Sequence, residues 1–308
     1  MTKNQTVRHA VIPAAGRGTR FLPATKSIPK EMLPVVDKPA IEYTVEEATD
    51  ANLNDVLIIT SASKHAVDDH FDACPELETA LESSGKTKLL ESINRYRDLA
   101  RVHTVRQGHP KGLGHAVYQA RPHVGENPFA VLLPDDLMHP EDPILKAMIE
   151  VRERLGGSVV ALLKVTPEQA TAYGSAEVSE VDPRLLAGLS VAPGRVLQLD
   201  KVVEKPPLAE VLSEYATVGR YVFDPAIWTI LETLPPGRGG EIQLTDAFGR
   251  LIDVPREEGG GVYGVVIEGR RFDTGDKLGW LQAQVAFGLE HPELGADLRS
   301  YLEGLDRP

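Results

Sequence analysis

An alternation in the first half of the chain constrains its fold more than any other feature. Short apolar runs at Val7 to Pro13, Asp55 to Thr60, Val102 to Arg106 and Phe129 to Pro134 are rich in Val, Ile and Leu and bounded by polar loops. Runs this short and this apolar suit strands covered on both faces. Between them, Ala40 to Leu53, Ala66 to Phe71, Lys86 to Leu99 and Leu113 to His123 read as helices. Strand–helix–strand order requires parallel strands joined by right-handed crossovers, and hence a doubly wound sheet. The fold class expected is α/β, Rossmann-like, with a mixed, mainly parallel central sheet flanked by helices. Ser158 to Val165, Ser175 to Val181, Val196 to Glu204 and Thr217 to Phe223 form a strand-rich block, predicted to extend that sheet with mixed or antiparallel pairing. From Asp276 onward Leu278, Leu281, Val285 and Leu289 recur at helical spacing, and a second short helix is expected after Pro292.

At 308 residues and 42% apolar content, a sizeable core is within reach, in one large domain or two modest ones. No apolar run approaches the ~20 residues of a membrane span, and no charged n-region leads into an apolar one, so neither membrane nor secretion is expected. The single cysteine, Cys74, cannot close an internal disulfide, and no Cys/His cluster suggests structural zinc. A reducing cytoplasm fits. The formal charge of −12 argues against general nucleic-acid binding. An acidic chain that binds polyphosphate must therefore concentrate its positive charge locally.

The stretch Val11 to Pro34, VIPAAGRGTRFLPATKSIPKEMLP, does this. A strand ends at Pro13 and opens into Ala14, Ala15, Gly16 and Gly18, small residues that let backbone amides approach a phosphate or a base. Four cations follow closely, Arg17, Arg20, Lys26 and Lys30, and four prolines hold an extended loop in shape. The dinucleotide pattern G-x-G-x-x-G fails because Phe21 stands at the third glycine, and the P-loop pattern fails because Thr25 precedes Lys26-Ser27. A plain strand–helix turn accounts for the glycines but not for the cations.

G-x-G-T-R-x-x-P followed by P-K-E-M-L-P resembles the sugar-nucleotide pyrophosphorylases, and the likeness runs from Val11 to about Ala286. The resemblance implies a nucleotide-diphospho-sugar transferase fold: an α/β domain over 1–275, with a nucleotide-binding part at about 7–140 and a sugar-phosphate part at about 141–275, then a helical segment over 276–308. K-E-M-L-P and the long Lys64 to Arg101 insertion point to members that transfer a uridylyl group.

Other segments can then be read twice, from their residues and from the resemblance. Gln107 to Ala116 is a glycine-punctuated turn opening a helix; alone, it is as well read as an ordinary β–α connection. The resemblance gives Gln107 and the backbone at Gly112 to uracil, with His109 and His115 structural. Leu132-Leu133-Pro134-Asp135-Asp136 is an apolar strand ending in two acids, at the strand end where such sheets bind ligands. The acids could cap a helix; the resemblance makes Asp135 a ligand for Mg²⁺, a hard ion suited to carboxylates and phosphate oxygens. Arg271 to Asp276 could likewise be only an N-cap, and the resemblance makes Asp273 the second metal-site acid. Glu204 and Lys205 read alone as a surface ion pair; the resemblance assigns Glu204 to sugar hydroxyls and Lys205 to the sugar phosphate. Gly174 and Gly219 match sugar-pocket turns, and Glu241 and Gln243 lie in a segment beside the sugar.

The reaction so implied is transfer of uridylyl from UTP to glucose 1-phosphate, releasing UDP-glucose and pyrophosphate. Arg20 and Lys30 would neutralise the triphosphate, Lys205 would steady the attacking phosphate, and Mg²⁺ would assist. Another nucleoside triphosphate or hexose phosphate, a non-catalytic sugar-nucleotide sensor and a nicotinamide-dependent oxidoreductase remain as alternatives. A homo-oligomer, dimer or tetramer, is expected, although internal packing explains the apolar spacing of the C-terminal helices equally well.

Overall fold

The computed structural model describes residues 5–305, and the side chains of all of these except 96–99. The start of the polar N-terminal stretch (1–4) and the end of the expected C-terminal helical segment (306–308) lie outside the described residues.

The described strands are β1 (His9–Pro13), β2 (Pro34–Val35), β3 (Lys38–Pro39), β4 (Asp55–Thr60), β5 (Arg101–Arg106), β6 (Phe129–Leu132), β7 (Asp136–Met138), β8 (Ser158–Lys164), β9 (Gly174–Glu180), β10 (Val196–Glu204), β11 (Tyr215–Phe223), β12 (Val262–Val266) and β13 (Arg271–Asp273). Among the described residues one nine-stranded sheet runs β5-β4-β1-β6-β11-β8-β12-β10-β9. β1 is parallel to β4 and β6, and β4 to β5. β11 opposes β6 and β8, β12 is parallel to β8, and β10 opposes both β12 and β9. Only β10 and β11 therefore run against the other seven strands. The mixed, mainly parallel sheet read from the sequence is the one observed.

Side-chain alternation explains why both faces are covered. Ala10 and Ile12, Val56 and Ile58, and Ala130 and Leu132 face one apolar layer, together with Ile41, Val45 and Met148. Val11, Leu57, Ile59, Phe129 and Val131 face the other, with Val117, Trp228 and Phe248. Each Val, Leu or Ile among them, fully buried, contributes roughly 1.5–3 kcal/mol. The helices behind these layers include Ala40–Asp50, Leu113–Tyr118, Leu145–Leu155, Ile227–Thr233 and Leu244–Leu251. The expected helix Leu113 to His123 is two, Leu113–Tyr118 and Arg121–Val124. Pro122 stands in the first turn of the second, and without an N–H it cannot continue the first. The Lys64 to Arg101 insertion holds an additional helix, Pro75–Ser83.

Two features position the site. The parallel strands β1, β4 and β6 end together, so the segments leaving Pro13, Thr60 and Leu132 emerge along one edge. A separate ribbon pairs β7 with β13 antiparallel and sets Asp273 opposite Asp136. A third apolar cluster, Val35, Tyr43, Leu137, Ala283 and Phe287, anchors that ribbon between helices Ala40–Asp50 and Lys277–Glu290.

Candidate active site

Along this edge lies a cavity of about 710 Å³. Its lining contains Arg17, Arg20 and Lys30 from the glycine-rich loop, Gln107 and Gly112, Asp135 after β6, Gly174, Glu204 and Lys205, Gly219, and Glu241. Residues spread over more than two hundred positions thus meet in one hollow. Lys26 is exposed outside the lining. Ala14 and Gly18 do not line it either. Ala14 is buried beneath the loop, its N–H donating to the Ile59 carbonyl (2.8 Å) and its carbonyl accepting from Lys64 Nζ (2.5 Å). Gly18 has φ 64°, and a Cβ there would stand 3.1 Å from the Lys30 Cβ. Both residues shape the loop from behind; the cavity's own small residues there are Ala15 and Gly16.

Lys30 Nζ donates to Asp135 Oδ2. Burial pulls the Lys30 pKa down, but Asp135 and Glu31 outweigh it and hold the ammonium above its ordinary value. Burial pushes Asp135 up, and Lys30 more than reverses this, leaving the carboxyl below its ordinary range. Asp273 differs: burial, then repulsion from Asp135 and Asp136, lift it above the usual carboxylate range against the pull of Arg271.

Gly275 shows how closely these groups converge. A Cβ on it would lie 2.8 Å from Asp135 Oδ2, 3.1 Å from Asp273 Oδ1 and 3.4 Å from Arg20 Nη1. Two carboxylates of distant sequence therefore share a cradle that only a residue without a side chain leaves open. Oxygen donors in this number fit a hard divalent cation such as Mg²⁺.

Elsewhere in the lining, Lys205 adopts φ 46°, a left-handed conformation that costs a non-glycine residue about 1–2 kcal/mol. Its N–H donates to the Tyr173 carbonyl (2.9 Å), and its own carbonyl accepts from Arg238. Its ammonium lies beside Glu204, with Nζ 3.1 Å from Oε1. Glu204 Oε2 accepts from the Thr245 hydroxyl (2.7 Å). At Gly174 a Cβ would press on Thr217 Oγ1 at 2.5 Å, and at Gly219 on Asp136 Oδ2 at 2.7 Å, so neither turn has room for a side chain. Gln107 donates its amide to the Gly112 carbonyl (3.1 Å) and lies 3.0 Å from His115 Nδ1, which shapes the turn and gives His115 a structural part.

Several participants were not visible in the sequence reading. Lys64 Nζ bridges the Ala14 carbonyl and Glu31 Oε2 (2.7 Å), tying the glycine-rich loop to the segment carrying Lys30. Asp136, next to Asp135, is buried and accepts from Arg271 Nε and from the Gly219 N–H (2.6 Å). Arg271 Nη1 also donates to the Tyr173 hydroxyl (3.1 Å), itself 3.4 Å from Asp273 Oδ2. Arg220, one residue past Gly219, points away from the cavity and pairs with Glu47 (Nη2 to Oε2, 2.7 Å). Adjacency to the motifs was the one available signal for Asp136 and Arg271; nothing local marks Lys64.

A hollow that gathers four cations and four acids beside a glycine-rich loop, with Asp273 just outside its lining, suits a reaction between polyanions, and it sits on the fold of a nucleotidyl transferase, a family that matches residues 9–277. The chain is 46% identical over 299 residues to the UTP–glucose-1-phosphate uridylyltransferase of Bacillus subtilis (strain 168), covering 97% of each protein. It is 43% identical over 300 residues to that of Staphylococcus epidermidis (strain ATCC 12228 / FDA PCI 1200), covering 97% of this chain and 99% of the relative. Among solved structures, a UTP-bound UGPase from Acinetobacter baumannii superposes with TM-score 0.86 at 39% identity, covering 98% of this chain and 100% of that one. A UDP-glucose pyrophosphorylase complexed with UDP-glucose gives TM-score 0.79 at 34% identity, covering 93% and 100%. The chain belongs to the UTP–glucose-1-phosphate uridylyltransferases.

Proposed function

We infer that the protein joins UTP and glucose 1-phosphate to give UDP-glucose and pyrophosphate. The observation that carries this reading is the convergence of Arg20, Lys30, Asp135 and Lys205 on one cavity in a chain of net charge −12. A phosphate oxygen of glucose 1-phosphate attacks the α-phosphorus of UTP in line. The bond to the bridging oxygen breaks, and its electron pair leaves on pyrophosphate. Such transfers need positioning and charge neutralisation rather than a nucleophilic side chain.

Arg17, Arg20 and Lys30 serve the triphosphate and the leaving pyrophosphate. Ala15, Gly16, Gln107 and Gly112 border the nucleoside, and Ala14 and Gly18 support them from behind. Gly174, Gly219, Glu204 and Glu241 serve the hexose, whose hydroxyls the Glu204 carboxylate can accept. Lys205 holds the attacking phosphate. Asp135 and Asp273 are the residues to hold Mg²⁺, which when bound neutralises phosphate charge that the side chains leave over. The division into a nucleotide part (about 7–140), a sugar-phosphate part (about 141–275) and a C-terminal helical segment (276–308) follows this assignment.

A homo-oligomer is supported by Leu278, Leu281 and Val285, which share a helix face and are 63%, 53% and 41% exposed, so packing within the chain does not account for them. Among the described residues no helix is long and apolar enough to cross a membrane, in keeping with a cytoplasmic setting.

Pyrophosphate release tests the reading. With UTP, glucose 1-phosphate and magnesium it should be rapid; it should fall to background without a divalent ion, and be slower with dTTP, ATP or GTP. No release with any of the four triphosphates would sink it.

A further inference from the structure

At the end of the sheet remote from the cavity, three side chains with metal-binding chemistry meet. His9 opens β1, Asp55 opens β4 in register beside it, and His123 reaches them from helix Arg121–Val124. One ligand atom of each lies within 4.8 Å of the other two. His9 Nδ1 stands 3.3 Å from Asp55 Oδ2, yet it is shielded from solvent and makes no hydrogen bond. His123 Nε2 lies 2.8 Å from Asp55 Oδ1. Tetrahedral zinc with bonds of about 2.0–2.1 Å has ligand–ligand edges of about 3.3–3.4 Å. The His9–Asp55 spacing matches such an edge, and because His123 meets the other carboxylate oxygen, Asp55 has to turn to bring one oxygen to both rings.

We propose that His9, Asp55 and His123 form a binding site for a borderline divalent metal of the zinc and cobalt class, stapling β1, β4 and helix Arg121–Val124. Imidazole ligands favour these ions over magnesium. The ring of His103, on β5, lies 4.9 Å from that of His123 but outside the set whose ligand atoms converge. The ligands come from segments far apart in the chain, so no sequence spacing marks them. A second cluster, His139, Glu141 and Glu290, lacks this character, because Arg270 already donates to Glu141 (2.8 Å) and to Glu290. A cation there would meet a guanidinium.

The test uses the full chain without an affinity tag, stripped by chelator and held in excess magnesium so that the carboxylate site is filled. It is titrated with Zn²⁺ by calorimetry and with Co²⁺ by visible absorption. One equivalent should bind, and zinc at about 100 times its Kd should raise the melting temperature by about 5 °C. His9→Gln and His123→Gln should each weaken binding about 100-fold while keeping the wild-type pyrophosphate-release rate and a cooperative melt without zinc. Absence of saturable binding, binding that survives both substitutions, or binding lost instead in Glu290→Gln would each overturn the proposal.

Discussion

Lys205 lines the cavity and Lys64 is buried behind the glycine-rich loop, so physics gives the two cations different work. Lys205 is 46% exposed at its side chain and held in a strained backbone beside Glu204, so it can meet a phosphate. Lys205→Ala should lower turnover about 100- to 1000-fold, as removal of a preorganised charge-stabilising group does, with little change in melting temperature; near-normal turnover would remove Lys205 from the mechanism. Lys64 is buried against Glu31, and burial pushes Glu31 up and Lys64 down, each only partly held back by the other. Lys64→Met strands the Glu31 carboxylate and should cost about 3–5 kcal/mol in denaturant unfolding, whereas Lys64→Met with Glu31→Met should recover most of that. Asp273 offers a pH test. Its folded pKa is raised, so ionisation costs stability, a cost that sets in as pH rises through the window from its unfolded value to its folded one. A divalent ion relieves that cost. The rise in melting temperature on adding magnesium should therefore shrink on acidification, beginning above the usual carboxylate range near pH 4. In Asp273→Asn the onset should move down toward that range.

Elements, more than residues, decide whether the two halves of the cavity meet. The loop before helix Leu113–Tyr118 is stitched to the segment after Gly240 by Ile242 N–H to the Lys111 carbonyl (2.7 Å) and Gly114 N–H to the Ile242 carbonyl (2.8 Å). Gly112, at φ 107°, makes this approach possible, since a Cβ there would lie 2.7 Å from the Ile242 carbonyl oxygen. Gly112→Ala should cost roughly 1–3 kcal/mol and raise the KM for UTP and glucose 1-phosphate together, because the seam joins both subsites. A rise for UTP alone would show that the seam does not transmit. The strands β1, β4 and β6 were legible because each is an apolar run between polar loops; β5, expected to be covered on both faces, is instead a largely exposed edge strand whose apolar residues are Val102 and Val105. The ribbon β7–β13 was not: three residues a side carry no period, and its pairing depends on the Leu137 and Phe287 cluster. Helices Leu145–Leu155 and Leu244–Leu251 also escaped the reading, although both lean on the buried layers.

At the scale of the molecule, a chain of net charge −12 gathers four cations among four acids in one hollow, and one apolar stripe is left over. Leu278, Leu281 and Val285 lie outward on helix Lys277–Glu290 while Ala283 and Phe287 on the same helix are buried. Leu281→Glu should reduce the mass measured by light scattering to a smaller species without lowering secondary structure; an unchanged mass would place the subunit contact elsewhere. The sequence by itself determined the sheet's class and the glycine-rich loop with its cations Arg20 and Lys30, because local spacing and residue chemistry suffice for those, whereas Asp135 and Lys205 were singled out only by the family resemblance. Tertiary structure alone decided that Asp273 joins Asp135 around Gly275, that Asp136, Arg271 and Lys64 brace the cavity, and that three distant side chains gather around Asp55. Those are contacts between segments remote along the chain, set by strand order and register, which no local pattern encodes.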